Sequence, residues 1–135
     1  MTAKNINEVA TLRNELTAAA ETAKNRYEKT LSAMAAHLAV NPASALTWKA
    51  HDMVVAQTQH EVWARIASEI AGHEVEAVEV EAVLAAASND ANYRVRAFFG
   101  SNSTSMFDNA VERARGAAYV RIAEELERIR RHHKI

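Results

Sequence analysis

Apolar side chains recur every three or four positions from Val9 through Leu12, Leu16, Ala19, Ala23, Tyr27, Leu31 and Met34 to Leu38. The spacing predicts a helix over 4–39 with one narrow stripe, the signature of coiled-coil packing. Two consecutive steps of four, from Ala23 through Tyr27 to Leu31, form a stutter that relaxes a supercoil locally. Asn41-Pro42 then punctuates the chain: Asn suits an N-cap, and Pro suits a first helical position, where its missing N–H has no partner to lose. A second helix is predicted over 43–71, ending near Gly72. One edge of it carries Leu46, Ala50, Met53, Ala56, Trp63, Ala67 and Ile70, and the other carries Trp48, Val55, Val62 and Ile66. A helix apolar over half its girth touches two neighbours, which makes this the central one.

Residues 74–87 are predicted to form a shorter helix, with Glu74, Glu76, Glu79 and Glu81 in its first half, where negative charge suits the dipole. Turn chemistry (Ser88-Asn89-Asp90 and Gly100-Ser101-Asn102) brackets an aromatic and basic middle. The segment 88–104 therefore reads as a loop with a short helix, or as a strand with Tyr93, Val95, Ala97 and Phe99 on one face. A last long helix is predicted from Ser105, with Phe107, Val111, Ala114, Ala118, Ile122, Leu126 and Ile129 as its stripe. Gly116 falls on its outer face, where it costs about 1 kcal/mol relative to Ala.

These elements predict an all-α fold: one domain over 1–135, an elongated bundle of three long helices and a shorter one with coiled-coil-like packing. A 36-residue helix is about 54 Å long, whereas a compact chain of this size has a radius of gyration of roughly 14 Å. Stripes that outrun what one chain can cover suggest a homo-oligomer, most simply a two-fold dimer.

Composition narrows the function. The 135 residues include no Cys, one Pro and three Gly. That excludes disulfide scaffolds, thiolate metal sites and Cys nucleophiles, and argues against Gly-rich phosphate loops. Sixteen Lys+Arg face 17 Asp+Glu, a balance unlike that of a wholesale nucleic-acid coat. The charge is uneven. Residues 60–90 set Arg65 against seven acids, and 91–135 set nine basic against five acidic side chains. Such a dipole suits self-association, a charged partner, or simply neighbouring acidic and basic helices. The first residues lack a signal-peptide core, and no apolar run reaches the length of a membrane span, so the expected address is the cytoplasm, with no membrane partner.

Candidate chemistry is sparse. The six His residues show no His-Glu-x-x-His and no Glu-x-x-His pair, and are expected to face solvent or hydrogen-bond, with no metal and no cofactor. No nucleophile elbow or Walker-type loop occurs, so no catalytic residue and no enzyme is expected. The strongest binding candidates are Tyr93, Arg94, Arg96, Phe98 and Phe99, joined by Arg113 and Arg115. Aromatics and Arg dominate hot spots, and these could equally plug the bundle end and hang in water. A second candidate is the edge Trp48, Val55, Val62 and Ile66, as an oligomer or docking face or as ordinary helix contact. A third is the basic tail, Arg128, Arg130, Arg131, His132, His133 and Lys134, which can meet phosphate or complement its own helix dipole.

The reading these features favour is a non-catalytic helical protein–protein interaction module. Small, Cys-free, motif-free chains of this kind serve mobile elements as inhibitors or modulators of a host protein or nucleoprotein complex, a defence complex being one instance. The alternative is a nucleic-acid-binding regulator that uses the Arg-rich C-terminal half, and a metal-dependent bundle enzyme ranks third.

Overall fold

The computed structural model describes residues 6–71, 77–99 and 106–134. Among them the protein is an all-α bundle of five helices: α1 (Ile6–Val40), α2 (Pro42–Trp48), α3 (Ala50–Ala71), α4 (Ala77–Phe99) and α5 (Met106–His132). No helix is long and apolar enough to cross a membrane among the described residues.

The punctuation at residues 41 and 42 works as the sequence predicts. Asn41 Oδ1 accepts from the Ser44 N–H at 3.2 Å, and Pro42 opens α2. The helix expected over 43–71 is broken at Lys49, whose φ of −108° departs from helical values. The hydrogen-bond ladder nonetheless runs through the break, from Lys49 N–H to the Ala45 carbonyl and from Met53 N–H to the Lys49 carbonyl. Just before it, the Thr47 hydroxyl donates to the Ala43 carbonyl at 2.8 Å, a back-bond of the type that bends helices.

The larger difference lies further on. The helix expected to stop at residue 87 continues to Phe99, so residues 88–99 are neither loop nor strand. The polar run that reads as a turn is satisfied by the helix and its neighbour. Ser88 is buried and its hydroxyl lies 3.4 Å from Arg130 Nη1, while Asp90 pairs with Arg94 one turn on. Residues 74–76 and 100–105, with Ser105 and the start expected there, lie outside the described residues.

The four long helices alternate in direction. Arg13 reaches the Ile70 carbonyl and the Tyr27 ring stacks on His60, so α1 and α3 are antiparallel. The Ser88–Arg130 and Arg94–Tyr119 contacts make α4 and α5 an antiparallel hairpin. Helix α3 packs against α1, α4 and α5, the central place its wide apolar arc requires.

The core is divided. Leu12 and Leu16 of α1, Val62, Trp63, Ile66 and Ile70 of α3, Val80 and Leu84 of α4, and Ile122, Leu126 and Ile129 of α5 form one cluster. Val55 with Ala114 and Ala118 forms a second, much smaller one. Between them α3 carries Thr58, Gln59 and His60. The first two are buried, and the Thr58 hydroxyl is spent on the Val54 carbonyl at 2.8 Å. Gly116 is buried as well, not on an outer face. It lies one turn before buried Tyr119, on an α5 surface that must meet both α3 and α4, so its lack of a side chain serves close packing.

Candidate functional site

The stripe of α1 is buried at Leu12, Leu16 and Ala23, after which its cover thins: Leu31 is 47 % exposed. Helices α1 and α5 both lean on α3 and are not among the helix pairs that pack substantially on each other. Where they diverge, a groove opens with α3 as its floor. It consists of two concavities of about 430 and 280 Å³ that share Arg26, Gln59 and Arg121. Small side chains on α1, among them Ala18, Ala19, Thr22 and Ala33, leave the space unfilled.

Its charges are asymmetric in their engagement. The two acids of the larger concavity are occupied. Glu15 Oε2 lies 2.6 Å from His133 Nε2, and Glu125 accepts from Arg128 Nη2 at 2.6 Å and from Arg128 Nε at 3.1 Å. The hydrogen bonds from Arg128 hold the Glu125 carboxyl below the usual carboxylate range, against the opposing effect of partial burial. Arg26 and Lys29 of α1, Lys49 at the α2–α3 break and Arg121 of α5 line the groove without an ion-pair partner among the described residues, opposed by Asp52.

Gln59 lies in the floor between these cations. It is only 6 % exposed, and its Oε1 is buried with no hydrogen-bond partner. An unpaired buried amide costs about 1–3 kcal/mol. A ligand that reaches the floor and bonds this amide recovers that cost. Oxygen and nitrogen of an amide are interchangeable by rotation, so the group can serve as acceptor or donor.

The residues singled out from sequence fall in several places. Val55, Val62 and Ile66 do not form a docking face: all three are buried inside the chain, Val62 and Ile66 in the large cluster and Val55 in the small one. The breadth of the α3 arc is used up by its own neighbours. The side chain of Trp48 lies outside the described residues, as do those of Phe98 and Phe99.

Tyr93 is 65 % exposed. Arg94 is held within the chain. Its Nε donates to Asp90 Oδ2 at 3.0 Å, and its guanidinium lies 5.3 Å over the Tyr119 ring. The hydrogen bond to Asp90 foremost, with the electrostatics of Tyr119 and Asp90 adding to it, keeps it more firmly protonated than a free Arg. Arg96, Arg113 and Arg115 are exposed. Arg113 and Arg115, two positions apart, project about 200° from one another around α5, so they do not share a surface.

Sequence reasoning missed the groove, although a signal was present. The apolar edges of α3 skip from Ala56 to Trp63 and from Val55 to Val62, and the skipped positions hold Gln59 and His60. Comparison of the chain with protein-family models, with curated proteins and with solved structures gives no match. The site's own chemistry therefore carries the functional argument.

Proposed function

We propose that this protein is a non-catalytic interaction module that receives an acidic helical segment of a partner in the groove between α1 and α5, and so blocks or modulates a larger protein or nucleoprotein assembly. The observation that carries this reading is a buried Gln59 side chain, its Oε1 unpaired, in a groove lined by Arg26, Lys29, Lys49 and Arg121. Positive side chains that line one concavity steer and orient an anionic surface, the more so at low salt. The Ala-rich wall accepts the close approach of a helix. The groove carboxylates Glu15 and Glu125 are engaged, which leaves Asp52 as the third groove carboxylate, on the far side of Gln59.

The test is capture of a partner from host lysate by the intact chain, followed by mass spectrometry, in parallel with an Arg26→Glu/Arg121→Glu variant. A stoichiometric, salt-sensitive partner that the variant loses while keeping its helical content supports the reading. Equal capture by both proteins rejects it. The second reading, a nucleic-acid-binding regulator, rests on the exposure of Arg96, Arg113 and Arg115, although Arg113 and Arg115 face opposite sides of α5. A mobility shift with DNA or RNA at low salt, abolished by charge reversal at Arg113 and Arg115, would favour it. Leu31, Val40 and Leu46, exposed by 47, 85 and 61 %, support self-association through the α1–α2 corner, which light scattering tests directly.

A further inference from the structure

The end of α5 is fixed in place. His133 N–H donates to the Ile129 carbonyl and Lys134 N–H to the Arg131 carbonyl, and Lys134 closes the helix with a φ of 55°. This cap holds His132 and His133 beside the N-terminal half of α1. There one donor atom from each of Glu15, His132 and His133 lies within 4.8 Å of the other two. His133 Nε2 and Glu15 Oε2 already touch at 2.6 Å across 118 residues of chain, and the His133 side chain is 7 % exposed. The two imidazoles meet edge to face with centroids 5.0 Å apart. No local spacing announces this set, because its members come from opposite ends of the sequence.

We infer that Glu15, His132 and His133 form a binding site for a borderline transition-metal ion, Zn²⁺ above all, that staples the end of α5 to α1. Two imidazoles and one carboxylate are a donor set that zinc accepts with bonds of about 2.0–2.2 Å. At that bond length tetrahedral ligand atoms stand roughly 3.3 Å apart. The site reaches this spacing by small side-chain rotations, with the ion replacing the hydrogen bond between Glu15 and His133. Hard Ca²⁺ and Mg²⁺ prefer oxygen cages and are poorly served by two nitrogens. Of the basic side chains at the end of α5, Arg128 is paired with Glu125 and Arg131 with Glu127, while Arg130 and Lys134 keep their charge and work against a cation there. Three protein ligands leave a fourth position for water or for a donor from another molecule. The site shares Glu15 with the wall of the groove, but its two imidazoles lie outside the groove lining and its test involves no partner.

The experiment is calorimetric titration of ZnCl2 into the intact, tag-free, chelator-stripped chain, with thermal unfolding followed in parallel and Co²⁺ absorption as a spectroscopic check. The expected result is one zinc per chain and a higher unfolding midpoint, since an ion that binds only the folded state stabilises it. Glu15→Gln, His132→Ala and His133→Ala should each weaken binding at least about tenfold, the scale of loss at perturbed metal centres. His51→Ala, at an exposed position on α3, should leave it unchanged. His132 is itself exposed, so His132→Ala keeps the test valid even if the buried His133 proves necessary for folding. No uptake by the wild-type chain, uptake undiminished in His132→Ala, or equal loss in His51→Ala would each overturn the assignment.

Discussion

At one end of the bundle Leu12, Leu16, Ile66, Ile70, Leu84, Ile122, Leu126 and Ile129 meet in a single cluster; at the other, Val55 meets Ala114 and Ala118. The four long helices run through both ends in the same alternating order, and the short α2 adds to the second, so the order of the long helices does not distinguish them. Side-chain volume does. Fully burying a Leu or Ile contributes about 1.5–3 kcal/mol, while an Ala offers little more than a methyl group. Stability is therefore concentrated where α1 begins and α5 ends. The Thr58–Gln59–His60 belt marks the boundary, and the groove between α1 and α5 straddles it, its larger concavity running along the well-packed end past Ala23, Ala19 and Glu15. One end anchors the bundle, and the groove runs from the side of that end across the belt to the thinner one.

The comparison breaks most visibly through core truncation. Leu126→Ala or Ile122→Ala should cost about 2–5 kcal/mol in urea unfolding. Val55→Ala, which removes two methylene equivalents at the small cluster, should cost no more than about 1.6 kcal/mol. Equal losses at the two sites would erase the distinction. Gly116→Leu comes next. Forcing a side chain into the packed α5 surface should destabilise by about 1–3 kcal/mol, whereas an outer-face glycine would have gained stability from the same change.

Gln59→Leu sharpens the contrast in the opposite direction. Replacing a buried amide whose oxygen is unpaired by an apolar group of similar size should raise stability by about 1 kcal/mol, while partner capture falls, a trade of stability against function. A variant that is less stable, or equally stable and fully competent to bind, would show that Gln59 is ordinary core. The smallest effect belongs to the Glu125–Arg128 pair on the groove wall. The carboxyl is held below its ordinary range in the folded state, so its contribution is present above that range and is lost as pH falls through the depressed value. Both side chains are more than a third exposed. Arg128→Ala should therefore remove only about 0.3 kcal/mol at neutral pH, and the difference from wild type should vanish in acid.

Much of this fold is legible in the chain. The α1 stripe, the Asn41-Pro42 cap, the central position of α3 and the α5 stripe all follow from periodicity and end chemistry, signals that are local. What escapes is what depends on a neighbour. Ser88-Asn89-Asp90 has the residues of a turn, yet α4 passes through it because Arg130 of α5 meets Ser88 and Arg94 meets Asp90. Gly116 reads as exposed until α5 is seen to bury two faces. The breadth of the α3 arc suggests a docking edge, and only packing shows that its neighbours consume it. The groove is half legible, as a polar gap in the arcs of α3 filled by Gln59 and His60. The meeting of Glu15 with His132 and His133 is not legible at all, since no rule of spacing links residues 118 apart.

Native-state hydrogen exchange tests the two-ended bundle most directly, because it reads the opening of each helix segment separately. Amides of residues 62–70 and 119–129 should exchange only through global unfolding. Those of 28–40 and 43–56 should exchange through local opening with far lower protection. Uniform protection along α1, α3 and α5 would contradict the account.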